Sequence, residues 1–167
     1  KYSIYIICKN KEIFHEKKNI LLNINNIDNI YHIPSVFLKF FENNINLKNK
    51  LNTRYNTSHN KIISKLGCIS SHKNTLLSIL NNDTINNIIL EEDFILNKNL
   101  PLSPPEHDCY LGGWIIPPKI SHVNKIKIRL DCNIGINNIN YDLFKIIMTH
   151  SYFIKNTSSA KKILIDM

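Results

Sequence analysis

Asn87-Ile88-Ile89-Leu90-Glu91-Glu92-Asp93 is the stretch whose reading decides the fold. Three apolar residues, two of them β-branched, run directly into three carboxylates. A run this short and apolar, bounded by polar residues, reads as a strand buried on both faces, as in a parallel sheet. In open α/β sheets, ligands bind beyond the carboxyl ends of such strands, and this one ends in acids. On extended backbone, residues two apart share a side. Glu91 and Asp93 are therefore expected to face one way and Glu92 the other. Two carboxylates so placed suit a hard divalent cation that also holds phosphate oxygens. The competing reading is a solvated acidic turn, and the local pattern alone does not choose between them.

Working outward, Ser3-Ile4-Tyr5-Ile6-Ile7 reads as a buried first strand. Residues 13–25 can form a helix, and Ile30 to Ile33 a second strand stopped by Pro34. Ser35 can cap a segment from Val36 to Phe41. Residues 43–60 are polar, rich in Asn and without period, so they read as a loop. From Lys61 to Leu80 the pattern is helical. Ile62, Ile63, Leu66, Ile69, Leu76, Leu77 and Leu80 are expected on one stripe, with Ser70 inside it and His72 at its edge. Asn81-Asn82-Asp83 ends that helix. Pro101, Pro104 and Pro105 mark a loop.

Tyr110-Leu111 is strand-like, and the following Gly112-Gly113 serves either a turn or a close approach of backbone to a ligand. Lys125 to Leu130 alternates as a half-exposed strand would. Tyr152-Phe153-Ile154 is another strand, and Thr157 or Ser158 can cap a final helix through Leu164. Strands and helices alternate through much of the chain. This favours an α/β fold with a mixed, mostly parallel sheet flanked by helices, and 167 residues fit a single domain over 1–167.

The net charge is +8, which favours anionic partners. The charge is scattered as single Lys residues, and no nucleic-acid motif accompanies it, so a nucleic-acid partner is not expected. No run of 18 apolar residues occurs, so no transmembrane segment is expected. Asn and Ile together make up about a third of the chain, so its three N-x-[ST] sequons carry no weight. Cys8, Cys68, Cys109 and Cys132 show no C-x-x-C spacing, and only His107 and Cys109 lie close together. Isolated thiols, not a zinc site, are therefore expected. They fit a reducing compartment, which favours the cytoplasm and leaves the secretory pathway open.

Gly67-Cys68-Ile69-Ser70-Ser71-His72 and Ile89-Leu90-Glu91-Glu92-Asp93, in that order and spacing, resemble the hallmark segments of glycosyltransferase family 25. That family includes lipopolysaccharide and procollagen galactosyltransferases. Asp108-Cys109-Tyr110-Leu111-Gly112-Gly113 is similar to its Tyr-Leu-Gly segment. Thr149-His150-Ser151-Tyr152 and Ala160-Lys161-Lys162-Ile163-Leu164 are similar to its Thr-His-Ala-Tyr and Ala-Lys-Lys-Leu-Leu blocks.

The resemblance implies a GT-A-like, Rossmann-type sheet. It also implies a hexosyltransferase that takes galactose or glucose from a UDP-sugar and passes it to a hydroxyl on a glycan or collagen-like protein. By position, Glu91 and Asp93 would hold Mn²⁺ or Mg²⁺ against the donor diphosphate. Ser71, His72, Gly112, Gly113, His150 and Tyr152 would line the donor site. A carboxylate base is also implied, for which Asp108 and Asp131 are candidates.

The chain departs from the family in four places, one being Lys65-Leu66 where the family has a Glu before Gly-Cys. Glu92 stands where Asp is usual, and Cys8-Lys9-Asn10-Lys11 replaces an Arg-rich segment. Family members also continue beyond the Ala-Lys-Lys block, so the C-terminal part of the family domain is expected to be missing. These departures motivate the alternative of a non-catalytic nucleotide-sugar or glycan-binding module.

Overall fold

The computed structural model describes residues 1–36, 59–95, 100–116 and 145–167. The elements run β1 (Tyr2–Cys8), α1 (Lys11–Leu21), β2 (Ile27–Pro34), α2 (His59–Asn82), β3 (Asn87–Glu91), β4 (Cys109–Ile116), β5 (Lys145–Ile154) and α3 (Thr157–Asp166). The proposed segment Val36 to Phe41, the loop at 43–60 and the strand Lys125 to Leu130 fall wholly or mostly outside the described residues.

The strands form one sheet in the order β2-β1-β3-β5-β4. β1 pairs parallel with β2 and with β3, whereas β5 is antiparallel to both β3 and β4. Four strands therefore run one way and β5 opposes them. This is the mixed, mostly parallel α/β arrangement expected from the sequence.

β1 lies in the sheet interior, and all seven of its residues are buried. This explains why Ser3 to Ile7 carries no polar alternation. Its side chains nevertheless divide by the two-residue period of a strand. Tyr2, Ile4, Ile6 and Cys8 join Ile88, Leu90, Phe153 and the α1 residues Phe14 and Leu21 in one core layer. Tyr5 and Ile7 join Ile33, Ile89 and Ile154 against Leu76 and Ile79 of α2 and Ala160 of α3. The sheet is thus covered by α1 on one face and by α2 and α3 on the other.

α1 starts at Asn10, whose side chain accepts a hydrogen bond from the Ile13 backbone N–H at 2.9 Å. α3 starts in the same way at Asn156, which accepts from Ser159. The cap is one residue before Thr157 and two before Ser158, the two expected from sequence. Asn is as good a cap as Ser, so composition alone does not choose between them. α2 ends at Asn82. Asp83 and Asn86 then adopt positive φ, 48° and 53°, a conformation that Asp and Asn tolerate better than most residues. Those two residues turn the chain from the helix into β3.

The buried face of α2 differs from the expected stripe. Leu76 and Ile79 are fully buried, but Ile69 and Leu77 are exposed. The helix also presents small residues inward: Gly67, Ser71 and Thr75 are buried at four-residue spacing. The Ser71 and Thr75 hydroxyls donate to the carbonyls of Gly67 and Ser71, one turn back, and so their polar groups are satisfied inside the helix. The face nearest the sheet is small and weakly polar, and an apolar stripe sets the phase of the helix wrongly. Leu76→Ala is expected to lower stability by about 2–5 kcal/mol. Leu77→Ala, on the expected stripe but exposed, should stay within about 0.5 kcal/mol. Urea denaturation of the two variants checks the phase.

Candidate functional site

The strand period that sorts the core also aims the site. Ile89 of β3 lies in the layer beneath α2, so Glu91, two residues on, emerges on the same side. Tyr152 of β5 is registered against Ile89 and packs against that same layer. α2 crosses above, with Cys68 and His72 one turn apart.

The result is a connected chain of polar groups. His72 Nε2 lies 3.0 Å from Glu91 Oε1, and His72 Nδ1 lies 2.9 Å from the Tyr152 hydroxyl. Cys68 Sγ donates toward the same Glu91 oxygen at 4.0 Å. Residues of α2, β3 and β5 thus converge in one hydrogen-bonded group.

Burial by itself disfavours charge on His72. The hydrogen bonds and charges of Cys68 and Glu91 outweigh it, and the imidazole is pushed up to about 9 from the ordinary 6.5. At neutral pH the ring is therefore an imidazolium. Both its nitrogens donate, one to Glu91 and one to Tyr152.

Glu91 is the last residue of β3, and the chain turns immediately after it. The Phe94 N–H donates to the Glu91 carbonyl at 3.1 Å, and the Phe94 ring is buried in the layer beneath α1. The expectation that Glu91 and Asp93 share a side rested on extended backbone as far as residue 93. That premise is corrected here, because Glu92 and Asp93 lie in the turn that returns Phe94 to the core.

Glu92 faces β1. It accepts from the Lys9 backbone N–H at 3.0 Å and pairs with Lys9 Nζ at 3.3 Å. The exposed ion pair is worth little alone, but the backbone bond fastens the end of β1 to the acidic turn. Asp93 is exposed on that turn.

The other expected residues divide into three groups. Ser71 is buried, and its hydroxyl accepts from the Val36 backbone N–H at 2.8 Å while donating to Gly67. It fastens the chain after β2 onto α2, next to His72. Gly112 of β4 pairs with Ser151 of β5, which in turn pairs with Leu90. Gly112 thus lies in the sheet row just before Glu91. The β4–β5 register shifts on both sides of Gly112, an irregularity that a residue without a side chain accommodates. Gly113 follows it in β4, and His150 precedes Ser151 in β5.

Asp108 is not brought to the site. It accepts from the Lys155 backbone N–H at 2.7 Å, and the Lys155 carbonyl accepts from Asn86 N–H, at the start of β3. That is the opposite end of β3 from Glu91. Asp131 lies outside the described residues.

Cys68 is the site residue missed by spacing alone. By nearness in number, only His107 and Cys109 stand together. The signal was Cys68-x-x-x-His72 on a predicted helix, since residues four apart share a helix face. Cys8, by contrast, is buried at the end of β1. Desolvation and then the Glu92 charge push its thiol up to about 11, which makes it unreactive.

Comparison with protein families, with curated proteins and with solved structures finds no match to this chain. Among the described residues, no helix is long and apolar enough to cross a membrane.

The raised His72 value gives a signed pH dependence. A group with a higher pKa folded than unfolded stabilises fully below its unfolded value and ceases to do so as pH rises through the folded one. Chelator-treated protein should therefore lose stability between about pH 6.5 and 9. The His72 ring should titrate near 9 by NMR, and Glu91→Gln should shift that titration toward 6.5 and flatten the stability profile.

Proposed function

We propose that the chain is a metal-dependent glycosyltransferase. It moves a hexose from a UDP-sugar to a hydroxyl of a glycan or collagen-like acceptor, on a GT-A-like framework. The observation that carries this reading is convergence. The segments that resemble glycosyltransferase family 25 are separated by tens of residues, yet His72, Glu91 and Tyr152 from three of them form one hydrogen-bonded group. They do so at the carboxyl end of a parallel strand, where α/β sheets bind ligands.

Glu91 and Asp93 offer hard carboxylate oxygens at the strand end and the turn, as Mn²⁺ or Mg²⁺ prefers. The bound cation would neutralise charge developing on the leaving nucleoside diphosphate. The imidazolium of His72 orients the Glu91 carboxylate and adds positive charge beside the phosphate position. Tyr152 holds the far side of that ring. Lys9, fastened to Glu92, adds a second cation at the same strand ends. Of the two acids considered as acceptor base, Asp108 lies at the opposite end of β3 from Glu91, and Asp131 remains a candidate.

One observation favours the second reading, a module that binds the nucleotide-sugar without turnover. A Glu91 oxygen already accepts from His72 and Cys68, and this competes with cation binding. The two readings separate on turnover.

UDP-galactose or UDP-glucose with Mn²⁺ should raise the melting temperature, because a ligand at 100 times its Kd adds about 2.7 kcal/mol to the native state. Mn²⁺-dependent donor hydrolysis or transfer should accompany the shift and be lost in Asp93→Ala. A shift without turnover supports the binding module. No shift with any UDP-sugar contradicts both readings.

A further inference from the structure

Cys68, His72 and Glu91 each present one metal-capable atom, and these atoms all lie within 4.8 Å of one another. The carboxylate oxygen is 3.0 Å from the imidazole Nε2 and 4.0 Å from the thiol sulfur. A tetrahedral zinc centre with bonds of about 2.0–2.3 Å requires its donors to stand roughly 3.3–3.6 Å apart. The 3.0 and 4.0 Å separations bracket that spacing, and the remaining pair lies within 4.8 Å, so the three donors would draw together to hold an ion.

The chemistry of the set is also specific. A thiolate and an imidazole beside one carboxylate suit Zn²⁺, whereas Mg²⁺, Ca²⁺ and Mn²⁺ prefer oxygens throughout. Metal-bound His residues usually engage their second nitrogen with a polar partner that sets the tautomer and ring orientation. His72 has that arrangement, with Nδ1 on the Tyr152 hydroxyl and Nε2 toward Glu91. The framework is rigid on both sides. Cys68 and His72 are one turn apart on a 24-residue helix, and Glu91 ends a buried strand. Cys68 is exposed, so an ion can reach the group from solvent.

We propose that Cys68, His72 and Glu91 form a Zn²⁺-binding site whose fourth position is open to solvent. Three protein ligands with an open position are the arrangement of zinc sites that bind water or a ligand oxygen, in contrast to closed four-ligand structural sites. The site stands independently of the glycosyltransferase reading. It shares Glu91 and His72 with the residues invoked for transfer but does not use Asp93, and zinc would take the His72 imidazole neutral, in place of the imidazolium.

The full chain, reduced and metal-free, is titrated with Co²⁺ as a spectroscopic stand-in for Zn²⁺. Zn²⁺ affinity is then measured by competition with a chromophoric chelator. One equivalent of Co²⁺ should bind with a thiolate-to-metal charge-transfer band that Zn²⁺ abolishes. Cys68→Ser should remove that band, whereas Cys109→Ser should retain it. His72→Gln should weaken Zn²⁺ binding at least tenfold. Asp93→Ala should leave Zn²⁺ affinity unchanged, which separates this site from the pair invoked for transfer.

No charge-transfer band in the unaltered chain, or a band that survives Cys68→Ser, would overturn the proposal. Cys68 is exposed, so its Ser variant is expected to fold, and that arm decides the matter even where His72→Gln does not fold.

Discussion

A carboxylate carried out of a buried strand needs a partner where it emerges. In this chain Glu91 is that carboxylate, and His72 is the partner. β3 is buried from Asn87 to Leu90, and the two-residue period of the strand sends the next side chain out beneath α2. Water reaches that position only in part, so an ionised carboxylate there is costly unless it is paired. His72 supplies both a charge and a donor, and the pair in turn requires α2 to cross β3 at one place and in one rotation. The phase of the helix, the docking of Ser71 against Val36 and the position of Tyr152 are all consistent with that single requirement.

The sheet supports this geometry through its topology. β1 and β3 are parallel neighbours, so their carboxyl ends lie together, and Lys9 and Glu92 join them directly. β5 runs the opposite way beside β3, with Tyr152 registered against Ile89, two residues before Glu91 and on the same face of the sheet. Tyr152 therefore reaches the same group as Glu91, the last residue of β3, through His72. Lys155 and Asp108, just beyond the end of β5, fall instead at the start of β3.

Much of the fold was legible because burial writes itself into strands. Ser3 to Ile7 and Asn87 to Leu90 could be read as interior strands from their lack of alternation, and both lie within observed strands. The long helix ending at Asn81-Asn82-Asp83 was equally visible. Its rotation was not. Gly67, Ser71 and Thr75 form a close-packing face that hydropathy scores as neutral, and the exposed Ile69 and Leu77 drew the stripe away from it. The β4 strand also runs longer than the short apolar run suggested, because Gly112 and Gly113 weaken the local β signal without preventing pairing.

The site was half legible. An acidic strand end in an α/β chain pointed to Glu91, and the family resemblance pointed to His72 and Tyr152. The joining of Cys68 to Glu91 was not readable, because it depends on where a helix crosses a strand 19 or more residues away in sequence. The expected pairing of Glu91 with Asp93 on an extended backbone shows the reverse limit. Burial of Phe94 in the α1 layer requires a turn there, and a three-residue acidic pattern cannot reveal that demand. The arrangement of the site depends on the energetic coupling of His72 to Glu91, which a double-mutant cycle with His72→Gln and Glu91→Gln measures in metal-free protein at pH 7. Coupling of about 0.5–3 kcal/mol is predicted for this contact, and additivity within about 0.3–0.5 kcal/mol would contradict it.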